Sequence, residues 1–451
     1  MPTSLLQRLI VLAILLLLGL GFLMVLGWVV ATAPQWPLAW RLGLPATLVF
    51  CAMLLDQTWL GLHPFYRRRL ASAFAVRRLE DPAGEVFTEP YAFSSEGTPL
   101  SLYGRPPAGG PFPTVIFAAA ANLSGQDRTP PGRHAVSYTF AHDYVGGPDV
   151  GWVATDKLQR RVSQHLARDL TVQAAMAISG AAFASAMGRQ ARAFQTFFAL
   201  SNARLGAWLP NPAFLHDEGV DPGAEDSDGR GRAGAAVRIH WTRPRLPKLR
   251  RLSYLLREIV GRYPCDNRLL FCTDGGHYEN LGLVELLRQR CRLVYCIDAS
   301  GDTPPLSGTL AEAITLAYEE LGVRIELDQP LELVPGGADP LQPQQPLAAL
   351  SGRLSRSVIC TGTITYPGDV HFPGGTGRTG RLVVMKAALT GDLPYELLSY
   401  ASRKPVFPRD TTGDQWFDHG QFDAYQELGR YLGARAANAA RRPAARARPP
   451  V

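Results

Sequence analysis

The chain has 451 residues, 46% of them hydrophobic and 19% charged, enough to build a sizeable core and too apolar for a disordered polypeptide. Its net charge is +7, and its six cysteines are scattered without a CxxC pair, which excludes a disulfide-stapled secreted scaffold and reads as reduced thiols. No Walker loop or dinucleotide-binding glycine fingerprint occurs, so nucleotide chemistry has no support.

From Leu9 to Val30 there is no charged residue. As a helix this run rises roughly 33 Å, enough for a hydrocarbon core of ~30 Å, so a transmembrane helix is expected. A signal peptide is the competing reading, but its apolar region would be only ~7–15 residues, and the ATA after Val30 is a poor cleavage site. Leu42 to Leu55 is shorter and interrupted by Pro45. It reads as a second crossing anchored by Trp40 and Trp59, or as a re-entrant or interfacial helix. Residues 1–62 therefore form an expected membrane region. Arg67, Arg68, Arg69, Arg77 and Arg78 follow it, and the positive-inside rule places the main domain on the cytoplasmic side of the cell membrane.

Residues 63–432 carry the expected globular domain. His63 to Val76 reads as a short amphipathic helix with Phe65, Leu70 and Phe74 on one side. Thr114 to Ala121 (TVIFAAAA) reads as a buried strand, and Leu170 to Met187 as a tightly packed interior segment rich in small residues. His216 to Arg232 is Gly- and Asp-rich without apolar periodicity, hence a loop. Its acids lack EF-hand spacing. Leu249 to Val260 is an amphipathic helix with Leu252, Leu255, Leu256 and Ile259 at helical spacing.

The stretch that follows is RLLFCTDGGHYENLGLVELLRQRCRLVYCIDAS. It reads as strand, glycine turn, helix and strand, a βαβ unit with parallel strands and a right-handed crossover. Leu310 to Leu321 reads as another helix. Ser357 to Tyr366 and Gly380 to Ala387 alternate like paired strands, and a closing helix precedes an Ala/Arg/Pro-rich tail, residues 433–451, expected to be disordered. By charge alone that tail could touch anionic lipid or nucleic acid, or remain solvated.

Asp274 stands at the carboxyl end of the first strand of that unit, where functional groups gather in open α/β sheets. A carboxylate there can take a proton from a nucleophile, orient a ligand, or only cap the next helix. The residues themselves leave these open. No second histidine stands at metal-ligand spacing from His277, so no metal is expected. Asp298 and Asp302 end the second strand and could line the same cleft or serve a turn.

DGGHYENLGLVELLRQRC resembles the aspartate motif of the patatin-like phospholipases, in their bacterial membrane-linked branch. HPFYRRRL, MAISGAAFASAMG, NARLGAWLPNP and FPRDTTGDQWFDHGQFDAYQELG resemble segments of the same branch in the same order, covering His63 to about Leu432. The resemblance implies a three-layer α/β/α domain behind the transmembrane helices and a Ser–Asp dyad that hydrolyses lipid esters without a cofactor. In it Asp274 is the base, supported by Gly275, Gly276, His277 and Asn280. The lipid bilayer and a phospholipid or other lipid ester are the implied partners, and no nucleic acid is expected.

The nucleophile half of that pattern is missing. No serine stands in GxSxG and no GGGxR occurs. Ser94, Ser95, Ser124 and Ser179 come nearest, but the segment around Ser179 resembles the family's second, non-nucleophilic serine segment. The chain therefore looks like the C-terminal portion of a patatin-like protein. Its nucleophile would come from a partner chain or an upstream segment, or the domain would be a membrane-anchored pseudo-enzyme that binds lipid or protein.

Overall fold

A computed structural model describes residues 3–90, 97–104, 113–124, 129–130, 132–181, 204–214, 246–302, 308–368, 378–410 and 417–441. Helices α1 (Thr3–Thr32), α2 (Leu38–Leu54), α3 (Gln57–Leu60) and α4 (His63–Phe74) lead into the hairpin β1 (Val76–Glu80) and β2 (Val86–Pro90). Strands β3 (Phe117–Asn122), β4 (Ala135–Phe140), β5 (Tyr144–Gly147) and β6 (Gly151–Ala154) come next. After them stand α5 (Thr155–Arg161), α6 (Gln164–Ala167), α7 (Val172–Ser179), β7 (Ala207–Pro210) and α8 (Leu252–Val260). The glycine turn then joins β8 (Leu269–Asp274) to α9 (Leu283–Arg288) and β9 (Leu293–Asp298). The chain closes with α10 (Gly308–Leu321), β10 (Arg324–Leu327), β11 (Ile359–Thr365), β12 (Thr379–Lys386), α11 (Tyr395–Arg403) and α12 (His419–Arg441).

Among the described residues no helix is long and apolar enough to cross a membrane, which corrects the expectation of transmembrane helices. Helix α2 has 17 residues and contains Pro45; it rises only ~25 Å against a hydrocarbon core of ~30 Å. The side chains described in α1 begin at Leu17. Trp59, expected as an interfacial anchor, instead lies between Arg67 and Arg168, whose guanidinium carbons are 4.7 and 5.0 Å from its ring centroid.

The strands form a two-stranded, a four-stranded and a six-stranded sheet. The largest runs β6-β5-β4-β3-β8-β7 and is antiparallel throughout. The four-stranded one runs β10-β11-β12-β9, with only β9 and β12 parallel. The expected βαβ unit is therefore not formed, because β8 and β9 belong to different sheets. Strand β8 is buried on both sides and sits between β3 and β7. Strand β9 alternates exposed and buried and forms an edge. The three-layer α/β/α domain behind transmembrane helices, which the resemblance implied, is corrected with it. The strand pair expected from Ser357 to Ala387 is present as β11–β12.

Strand β3 explains how helices reach the sheet closely. Its alanines carry no bulk: Ala119 and Ala121 share a core with Ala175 and Ile178 of α7, while Ala120 joins Tyr278, Leu283 and Val284 in another.

Two helices turn charged residues inward and leave part of their apolar stripe exposed. In α4 the buried residues are His63, Arg67 and Ala71, while Phe65 and Phe74 are exposed. In α8 Glu258 is buried and Leu256 and Val260 are exposed. Helix α4 turns toward one buried charge cluster and α8 toward a second. Arg250 donates from Nε to Asp56 at 3.0 Å and from Nη1 to Asp169. His63 Nε2 lies 3.3 Å from the same Asp169. Arg204 and the Trp208 indole, the latter at 2.7 Å, donate to Glu258. A charge that leaves water must be paired there, and this need outranks the stripe.

The closing helix continues to Arg441, beyond residue 433 where the expected tail begins; residues 442–451, the loop His216 to Arg232, and the serines Ser94 and Ser95 lie outside the described residues.

Candidate functional site

Asp274 is the last residue of β8 and pairs in register with Ala119 of β3. Its Oδ1 accepts a 2.6 Å hydrogen bond from the Gly276 N–H and so opens the short 3-10 turn Gly275–His277. Among the described residues this is its only hydrogen bond, which leaves Oδ2 unengaged. Burial pushes the carboxyl above the ordinary carboxylate range, and the Gly276 N–H pulls against that shift. A carboxylate raised in this way is a stronger base than one in water.

The two glycines are required by space, since neither has a positive φ. A Cβ on Gly275 would sit 2.7 Å from the Ala118 carbonyl oxygen, and one on Gly276 would sit 2.5 Å from Asn280 Oδ1 and 3.1 Å from Asp274 Oδ1. Asn280 thus packs over the turn beside the carboxylate. His277 belongs to the other face of β8. Its Nδ1 lies 2.7 Å from the Thr273 hydroxyl, which also receives a 2.8 Å hydrogen bond from Asn122 Nδ2. Thr273 precedes Asp274, and successive strand residues point to opposite faces. His277 accordingly ties down the turn from behind.

Ser179 is brought to the same place from α7. Its hydroxyl donates a 2.6 Å hydrogen bond to the Ala118 carbonyl, the group against which Gly275 packs. With its proton given to a backbone carbonyl, Ser179 is not aligned to hand that proton to Asp274. Tyr66 of α4 is the group that sequence reasoning missed. Its hydroxyl lies 2.9 Å from where a Cβ of Gly180 would stand, and α4 packs against α7. Burial first, and then the Asp274 charge, hold the Tyr66 phenol above its ordinary pKa, so it stays protonated and a donor. The motif HPFYRRRL contains the residue, but in the sequence it stands out only as part of a short amphipathic helix.

Asp298 and Asp302 do not join this cleft. They lie at the end of β9 in the four-stranded sheet, and Lys386 Nζ is 3.0 Å from a carboxylate oxygen of each. Asp302 also accepts from the Thr309 hydroxyl at 2.7 Å at the start of α10. Among the described residues no group of three or more His, Cys, Asp or Glu is placed to hold a metal.

No family model, curated protein or solved structure matches this chain. The likeness to patatin-like phospholipases therefore rests on its motifs.

Proposed function

We propose that this chain supplies the base half of a patatin-like acyl hydrolase that cleaves lipid esters. The observation that carries the reading is Asp274, a carboxylate raised by burial, with one oxygen held by Gly276 and the other unengaged at a strand end. In this reading Asp274 takes the proton of a serine hydroxyl as that oxygen attacks the ester carbonyl, and returns it to the departing alcohol; water then releases the acid by the same path. The nucleophilic serine comes from an upstream segment or a partner chain, since Ser179 is bonded to Ala118.

The exposed Phe22, Leu23, Trp28, Leu42, Leu48 and Phe50 of the first two helices support a lipid surface as the partner, with the chain located at the cell membrane. A catalytically inactive lipid- or protein-binding domain is the second reading. It is favoured by the capping bond of Asp274, which a purely structural carboxylate would also make.

Hydrolysis of short-chain and phospholipid esters separates the two. The chain alone is expected to be inert, and adding a polypeptide that carries GxSxG and GGGxR is expected to produce turnover. Turnover by the chain alone that Ser179→Ala abolishes would overturn the split-dyad reading. Inertness in every combination favours the binding domain.

A further inference from the structure

Two polar groups at this site have no protein partner among the described residues: Asp274 Oδ2 and the Tyr66 hydroxyl. They reach it from different elements. Asp274 ends β8 beside Ala119, and Tyr66 leans from α4 over the end of α7, where Gly180 follows Ser179. A side chain at 180 would meet the phenol oxygen at 2.9 Å, so glycine there lets the hydroxyl lie over the helix end. The Ser179 hydroxyl bonds the Ala118 carbonyl, and Ala118 precedes the strand partner of Asp274, so the end of α7 brings Tyr66 toward the strand end that carries Asp274. An ester carbonyl can accept from the phenol, while the hydroxyl of the attacking serine donates to the carboxylate.

We propose that the Tyr66 hydroxyl donates a hydrogen bond to the carbonyl oxygen of the ester that lies against Asp274, making Tyr66 a substrate-binding residue of this site. The inference rests on the acyl-hydrolase reading. While Asp274 takes the serine proton and the carbonyl π electrons move to oxygen, the Tyr66 O–H holds that oxygen without giving up its proton. When the carbon–oxygen bond to the alcohol breaks, the oxygen returns to a carbonyl and Asp274 gives its proton to the alcohol. Because the phenol is held protonated by burial and by Asp274, it serves as a donor through neutral pH.

The test uses the full chain in detergent, labelled with carbon-13 at tyrosine Cζ, with the Tyr66 signal assigned by its loss in Tyr66→Phe. Methyl butyrate is the probe, and it is not turned over by the chain alone. It is expected to shift the Tyr66 signal with saturation. Its affinity, read by saturation transfer to the ester, is expected to fall about 3- to 10-fold in Tyr66→Phe, the loss of one neutral hydrogen bond. Gly180→Ala, which pushes the phenol aside, should weaken it similarly. No saturable shift, or unchanged affinity in Tyr66→Phe, would each overturn the inference. Hydrolysis by the assembled form reports separately on the base: if Asp274→Asn leaves it intact, the acyl-hydrolase reading fails whatever Tyr66 does.

Discussion

The Ser179 hydroxyl and the Ala118 carbonyl are joined by a 2.6 Å hydrogen bond, and that bond separates a serine near the site from a serine ready to react. Ala118 precedes the residue that pairs with Asp274, so Ser179 lies beside the base. A nucleophile must give its proton to that base, however, and this one gives it to the backbone. Ser179→Ala is therefore expected to leave assembled activity within about 3-fold of the parent. It should lower stability by about 1 kcal/mol, the worth of a typical hydrogen bond, in urea denaturation.

The Asp274 carboxyl is raised above the ordinary carboxylate range because burial disfavours its charged form. The folded state thus binds this proton more tightly than the unfolded one, and stability is lost as pH rises from the unfolded value through the folded one. Replacing the group by neutral Asn removes that loss while the side-chain oxygen can still accept from Gly276. The Asp274→Asn variant is expected to melt at or above the parent at pH 7, with the advantage gone near pH 3. A variant that melts well below the parent at pH 7 would show that the charge is needed for folding.

Gly275→Ala should cost about 1–3 kcal/mol, the range for inserting bulk into a packed region. Its new Cβ would stand 2.7 Å from a backbone oxygen of β3, and backbone there cannot yield without disturbing the sheet. Gly276→Ala meets the exposed Asn280 side chain first, which can swing away, so it should cost less. Thermal or urea denaturation of the two variants side by side reads the order.

Arg250 is fully buried and neutralises Asp56 and Asp169. Removing it as Arg250→Met takes the buried guanidinium from both carboxylates, at an expected cost of about 3–5 kcal/mol. Burial pushes Asp169 upward most strongly, but Arg250, His63 and Arg67 together hold its carboxyl well below the ordinary 3.8. A depressed carboxylate stabilises the fold above the unfolded pKa and loses that contribution as pH falls through the folded one. The parent should therefore lose stability below about pH 4, more steeply than Asp169→Asn.

Asp302 should be silent in hydrolysis. It bonds Lys386 and Thr309 in the four-stranded sheet, away from β8. Asp302→Asn is expected to keep assembled activity and to cost about 0.5–2 kcal/mol, as for a weakened helix cap. A large loss of activity would return Asp302 to the site.

Local elements were legible where residue type decides them. The strand expected in TVIFAAAA begins only at Phe117, SVICTGTITY contains β11, and Leu310–Leu321 is helical. Partner choice was not legible. Strand β8 followed by α9 and β9 has the rhythm of a parallel crossover, but the pairing of β8 with β3 and β7 depends on segments far away in the chain. The charged buried faces of α4 and α8 were hidden for a similar reason. Nothing local in HPFYRRRL says that Arg67 will find Asp169, or in LSYLLREIV that Glu258 will find Arg204. Asp274 could be singled out because an acid before two glycines is locally costly. Tyr66 could not, because its importance comes only from the packing of α4 on α7.

The central claim is that Asp274 acts as a base. The most direct measurement is the turnover of a fluorogenic phosphatidylcholine by the assembled hydrolase, comparing the parent with Asp274→Asn at pH 7 and equal folding by circular dichroism. Loss of a positioned base is expected to lower kcat by a factor on the order of 10²–10⁴ with little change in KM. A folded Asp274→Asn form that turns over at the parent rate would contradict the account.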